Sequence, residues 1–374
     1  MTRIIRRSPS RIVRGGDALT ALSDELERAG VTQTLVVCGS TLGEDVALTS
    51  RVRRAAGGRI ADFYTGVRAH SPLDSVLDGV RILTNQGCDG IVALGGGSAL
   101  VTARAMAIFA CEGEDIDAIA TSRDAHGAWR SPRLAEPKVP IVALPTVPTT
   151  AVSSARTAVT RTGTVRRFAM YDPKTRARSV IVDGDLLATA PEWLTRSAAY
   201  NCFSMAVEGL LSTGASPVSD AHMAHAARTM SRHLMEPSNV SREDLMFAAI
   251  LVGEGAELSS LGLTAALAHV IGHHFGASNG NVDAILLPRV LARLQAKGYP
   301  VDERLQHAGL PRHEGLVECL GSDAWGLSLS EMGVTVDDVD LIARAAETDF
   351  AYSTSPVEWS RAEVRSLLVG ALGA

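Results

Sequence analysis

The sequence predicts an α/β N-terminal domain with an open, mostly parallel, Rossmann-like sheet, followed by an all-α C-terminal domain. Three observations predict it. The apolar runs at 34–38, 90–94, 140–144 and 179–183 are continuous, as in strands covered on both faces, and do not alternate. Helical patterns separate these runs, the rhythm of a parallel sheet with crossover helices. After about Asp185 the runs stop and helical periodicity takes over, punctuated by Pro191, Pro217, Pro237, Pro288, Pro300 and Pro356. The expected domains are therefore 1–184, α/β, and 185–374, helical.

In order, residues 11–14 form a short strand, and Ala18, Leu19, Leu22 and Leu26 mark an amphipathic helix. The strand at 34–38 stops at Gly39-Ser40, and helical pattern runs on through Val52. A strand at 60–64 precedes a helix over 75–86 and a third apolar strand at 90–94. Gly95-Gly96-Gly97-Ser98 then opens a helix over 99–111. A polar loop, 121–138, leads to the strands at 140–144 and 179–183. Ligands of such sheets bind outside the carboxyl ends of the strands, so the cleft facing the helical domain is the expected active site.

The bulk properties narrow the function. A chain of 374 residues suits two cores, and 46% hydrophobic with 21% charged residues is ordinary globular composition. A net charge of -5 supplies no basic field for nucleic acid, and no apolar run reaches the length of a membrane span. Arg3, Arg6 and Arg7 lack an apolar stretch behind them, so no signal peptide is read. The five cysteines are odd in number and scattered, with no Cys-x-x-Cys pair. They read as reduced, buried thiols of a cytoplasmic protein. With no basic field and no membrane span, the expected partner is a small-molecule substrate in the interdomain cleft.

Four stretches could carry chemistry. Gly95-Gly96-Gly97-Ser98 lets backbone approach phosphate oxygens at a helix N-terminus, where amides and dipole favour anions. Pro145 to Ser154 brings the hydroxyls of Thr146, Thr149, Thr150 and Ser153 to the end of the next strand; a self-satisfied loop is the alternative. Arg166 and Arg167 could meet an anion or simply face solvent. Tyr200, Asn201, Met205 and Glu208 share a helix, as do His269, His273 and His274. His269 and His273 lie one turn apart on one face: a metal site, an acid–base site, or two satisfied core histidines.

Taken in order, the set is specific: Gly95-Gly-Gly-Ser98, Pro145-Thr146, Asp183, Asn201-x-x-x-Met205-Ala-Val-Glu208, His269-x-x-x-His273, Asp283-Ala-Ile-Leu-Leu-Pro288 and Ser355-Pro356. It resembles the iron-containing (group III) alcohol dehydrogenase family, with its dehydroquinate-synthase-like fold, over nearly the whole chain. Ala69-His70-Ser71-Pro72 resembles the His-Thr-Pro stretch of the maleylacetate reductase branch, and Asn201 stands where that branch also has Asn. The resemblance implies NAD or NADP with its pyrophosphate on residues 95–98, hydride transfer to a carbonyl beside a metal or a histidine, and a homodimer through the N-terminal sheet edge. The family's metal ligands, one Asp and three His, fall on Asn201, Met205, His269 and Asn279. One imidazole with three neutral donors does not suit iron or zinc, so no metal is expected. Against the family's pattern, the nicotinamide-side glycines are replaced by Thr149 and Ala151, and Gly39 stands about where the family has its adenosine-ribose Asp, so that carboxylate is missing.

The expected function is thus a metal-independent, NAD(P)H-dependent carbonyl reductase. His269 or His273 would donate the proton, Asn201 would orient the substrate oxygen, and Tyr200, Met205, His274 and Asn279 would line the substrate pocket. A repurposed non-redox enzyme (lyase, isomerase or cyclase) using the same cleft is the alternative, and a non-catalytic binding protein a third.

Overall fold

A computed structural model of the chain describes residues 10–161, 164, 167–320 and 328–373, with the backbone alone for 317–320. Arg166 and the side chain of Cys319 lie outside the described set. The chain divides into two compact units, one ending at Pro191 and one beginning at Glu192.

The first unit contains β1 (Arg11–Gly15), α1 (Leu22–Arg28), β2 (Thr34–Val37), α2 (Val46–Ala55), β3 (Ile60–Tyr64), α3 (Leu73–Asn85), β4 (Gly90–Gly95), α4 (Gly97–Glu112), β5 (Ile141–Pro145), β6 (Arg156–Thr160), β7 (Arg167–Tyr171) and β8 (Ser179–Asp183). Six of these strands make one sheet in the order β1-β8-β5-β4-β2-β3, and every pairing is parallel. Val36, Val92, Leu94, Val142, Leu144 and Ile181 bury one face of the sheet against Leu19, Leu22, Leu26 and Val52. Their neighbours Leu35, Ile91, Ala93, Ile141, Ala143 and Val180 point the other way by the two-residue strand period and are equally buried. Burial on both faces is why the runs are continuous in the sequence.

The chain leaves β2 toward β3 on one side, returns to β4 on the other, and continues from β4 away toward β5. A topological switch point therefore lies at the carboxyl ends of β2 and β4, the place where open α/β sheets bind ligands. Gly95 to Ser98 leave β4 at that end.

The side of the sheet at β8 is tied by one carboxylate. Asp183, fully buried, accepts from the amides of Leu186 (3.1 Å) and Leu19 (3.0 Å) and from Arg51 Nη2 (2.9 Å). It thereby caps the short helix Gly184–Ala188 and pins α2 beneath the sheet end.

Two features depart from the sequence expectation. β6 and β7 form an antiparallel hairpin where no strand is read, with Thr157 and Val159 opposite Met170 and Phe168 on its buried side. The polar loop at 121–138 carries a two-residue antiparallel rung, Ser122–Arg123 with Trp129–Arg130. Asp124 turns that rung by accepting from the amides of His126 and Ala128.

The second unit is helical: α5 (Glu192–Leu211), α6 (Pro217–Met235), α7 (Arg242–Ser259), α8 (Leu263–Phe275), α9 (Asn279–Ala296) and shorter helices that include α10 (Val339–Ala346) and α11 (Arg361–Ala371). Residues Leu263 to Ala268 of α8 are all buried, as expected of a helix apolar all round. Packing of α9 on α5 is close: a Cβ on Gly280 would lie 1.8 Å from the Ser197 carbonyl oxygen, so no other residue fits there. Among the described residues no single helix is long and apolar enough to cross a membrane. Cys38, Cys88, Cys111 and Cys202 are thiols, and burial pushes the Cys38 thiol up to about 11.

Candidate functional site

In the first unit the glycine loop is built by close approach. Gly95 has φ +140°, in the region only glycine enters at little cost. A Cβ at Gly96 would meet Val147 Cγ2 at 3.0 Å, and one at Gly97 would meet Thr149 Oγ1 at 3.3 Å. Side chains at these positions would fill the loop, so glycine keeps the backbone bare. Gly96 is the N-cap of α4 and no side chain caps that helix, which leaves its first amides and positive end for an anion.

The neighbouring loop is pinned from below. Thr146 and Thr149 are buried, and Thr149 Oγ1 accepts from the Ala151 amide to cap the turn Thr150–Val152. Arg104, buried in α4, donates to the Ala151 carbonyl. Part of the Thr149 hydroxyl's capacity is thus spent locally, while its oxygen still stands over Gly97.

A further stretch joins this site that residue types alone do not place there. His70 and Ser71 have φ of 59° and 49°, left-handed values that are uncommon without glycine. Ser71 Oγ donates to the Ser98 carbonyl (3.3 Å) and accepts from Thr102 Oγ1 (3.0 Å). Thr160 Oγ1 donates to the His70 carbonyl (3.3 Å). The turn is therefore clamped between α4 and the β6–β7 hairpin, beside the glycine loop.

In the second unit α8 carries the histidines. Its N-terminus is held by Glu208, whose buried carboxyl accepts from the amides of Gly262 (3.0 Å), Thr264 (2.7 Å) and Ala265 (3.2 Å). Burial raises the Glu208 pKa, and these amide bonds oppose the rise without cancelling it. Further along, His269 is half-buried and its Nδ1 lies 2.9 Å from Asp349 Oδ2. Asp349 Oδ1 accepts from the Ala351 amide (2.8 Å), capping the turn Phe350–Ser353. His273 is half-buried, whereas His274 is exposed, edge-on to Phe275 with ring centroids 4.8 Å apart.

Asn201 Nδ2 donates to Asp283 Oδ2 at 2.7 Å. Asp283 is 1% exposed, and burial drives its carboxyl well above the usual range despite the bonds from Asn201 and Ser204. The buried Oδ1 atoms of Asp283 and Asn279 have no hydrogen-bond partner among the described residues. Tyr200 is buried edge-on against Phe203, with burial first and Asp283 second raising its phenol. Met205 is half-buried. The structure thus joins His269 to Asp349 and Asn201 to Asp283. Neither carboxylate is read from sequence as a site residue, although Asp283 stands in a quoted motif.

A divalent iron does not fit this donor set. Asn201 turns its nitrogen, not its oxygen, to the Asp283 carboxyl, and Met205 and Asn279 offer only neutral donors. Among the described residues no three His, Cys, Asp or Glu side chains gather as a metal would require.

Asp283 predicts a pH dependence. A raised folded pKa stabilises the fold below the unfolded value, and that contribution is lost as pH rises through the folded value. Wild type should therefore lose stability toward alkaline pH more steeply than Asp283→Asn, read as Tm across a pH series. Parallel curves would show that Asp283 titrates alike in both states.

Models of two families match the chain: iron-containing alcohol dehydrogenase over residues 9–184, and the C-terminal domain of the Fe-containing alcohol dehydrogenase family over 197–372. The NAD-dependent methanol dehydrogenase of Bacillus methanolicus is 27% identical, covering 97% of this chain and 98% of its own length. Maleylacetate reductase of Pseudomonas aeruginosa is 26% identical over 92% of this chain and 90% of its own. Among solved structures, a 1,3-propanediol oxidoreductase superposes with a TM-score of 0.85 at 24% identity, over 99% of this chain and 100% of that one.

Proposed function

The chain belongs to the iron-containing alcohol dehydrogenase family, and we propose that it is a metal-independent, NAD(P)H-dependent carbonyl reductase with His269 as proton donor. The observation that carries this reading is the pairing of His269 with Asp349 in a unit where the family's other metal-ligand positions hold Asn201, Met205 and Asn279. Where a metal would stabilise a developing alkoxide, an acid must do so instead.

NAD(P)H, when bound, supplies the hydride. The bare loop of Gly95, Gly96, Gly97 and Ser98 suits its pyrophosphate, with Thr146, Thr149 and Thr150 alongside. Asn201, steadied by Asp283, orients the substrate oxygen. His269 would pass a proton to the substrate oxygen, so that the product is an alcohol, and its imidazole, left neutral, would be reprotonated by solvent. Relatives whose names describe a dehydrogenase and a reductase support the same reaction class.

The test uses chelator-treated protein, titrated calorimetrically with NADH and with NADPH, then assayed for loss of reduced nicotinamide with aldehydes and oxo acids. Nucleotide binding and turnover indifferent to added iron are expected. Absence of binding by either nucleotide, or turnover that requires iron, sinks the proposal. Gly97→Leu should weaken the nucleotide at least about tenfold, since its side chain would fill the gap below Thr149.

A further inference from the structure

We infer that Asp349 is the positioning residue of a carboxylate–imidazole dyad, setting which nitrogen of His269 carries the proton and the direction in which the ring delivers it. This rests on His269 being the proton donor. Asp349 Oδ2 lies 2.9 Å from His269 Nδ1. The side chains are 15% and 25% exposed, so the contact is partly shielded from water. The carboxylate cannot swing freely, because its other oxygen caps the turn Phe350–Ser353 through the Ala351 amide. The helix that carries His269 is fixed in turn by Glu208 at its N-terminus.

A carboxylate accepts only, so it holds the Nδ1 proton in place in both the neutral and the charged ring. A proton delivered by this ring must therefore leave from Nε2. The partners are 80 residues apart in the chain, and their meeting depends on the docking of the segment after α10 against α8.

The discriminating variant is Asp349→Asn, which preserves size and the cap on Ala351 but removes the charge and offers the ring an amide donor. With His269 as donor, kcat should fall roughly 10²- to 10⁴-fold, while KM for the carbonyl and Kd for NADPH stay within about threefold. Nitrogen-15 NMR of histidine-labelled protein should show the neutral tautomer of His269 moving from Nδ1–H toward Nε2–H, a change that a merely structural cap would not produce. An unchanged tautomer overturns the dyad, and so does full kcat in Asp349→Asn when His269→Ala is inactive. If His269→Ala is itself fully active, the proton-donor reading fails, and the NMR result still decides whether Asp349 orients the ring.

Discussion

Glu208→Ala should lower the stability of the helical unit by about 3–5 kcal/mol, the range for removing a buried ionic or multiply bonded partner. Three N-terminal amides of α8 lose this acceptor in a place that little water reaches, since Glu208 is 6% exposed. The carboxyl is packed hard against Gly262, whose Cβ would lie 2.8 Å from Oε1, so truncation also opens a cavity. Glu208→Gln separates the causes. It keeps one acceptor oxygen and nearly the same volume, and it removes the burial penalty that raises the pKa. Its cost should be about 1–2 kcal/mol. Denaturant melts followed by helical circular dichroism measure both. An Ala variant within about 1 kcal/mol of wild type would mean that α8 does not depend on this cap. Because α8 carries His269 and His273, the same melts show how firmly the site itself is held.

What could be read from the sequence follows from how local each signal is. β2, β4, β5 and β8 were legible because strands buried on both faces need nothing beyond their own residues to declare themselves. The glycine loop was legible for a similar reason, since three bare residues between a strand and a helix have few other uses. The β6–β7 hairpin was not, because in β6 two of the three buried residues are Thr157 and Thr160, the latter breaking the alternation, inside a hydroxyl-rich stretch. Asp349 was silent for a different reason: nothing in Thr348-Asp349-Phe350 distinguishes a carboxylate aimed at an imidazole from an ordinary helix cap, and it serves as both. Asn201 and Asp283 were each visible, but their bond spans 82 residues and is made by the packing of α5 on α9, which Gly280 permits. The clamped His70–Ser71 turn was recognised by resemblance, yet its left-handed backbone is a property of its neighbours Thr102 and Thr160.

His269→Ala should reduce kcat for carbonyl reduction by roughly 10²- to 10⁴-fold, the usual worth of a positioned general acid. Nucleotide affinity should be unaltered, because the glycine loop belongs to the other compact unit and is built from its own backbone. His273→Ala is the control that gives this prediction its edge. Both imidazoles sit on α8 one turn apart and both are half-buried, so spacing and burial alone do not choose between them. The choice comes from Asp349, a carboxylate at 2.9 Å that orients the ring at position 269. If His273 carried the proton instead, its alanine variant would show the larger loss of kcat and Asp349→Asn would leave turnover intact. The expected order is His269→Ala as severe as the His269→Ala, Asp349→Asn double variant, since a donor and the residue that positions it act as one unit and their losses do not add. Losses that multiply in the double variant would separate the two residues and return Asp349 to the role of a helix cap.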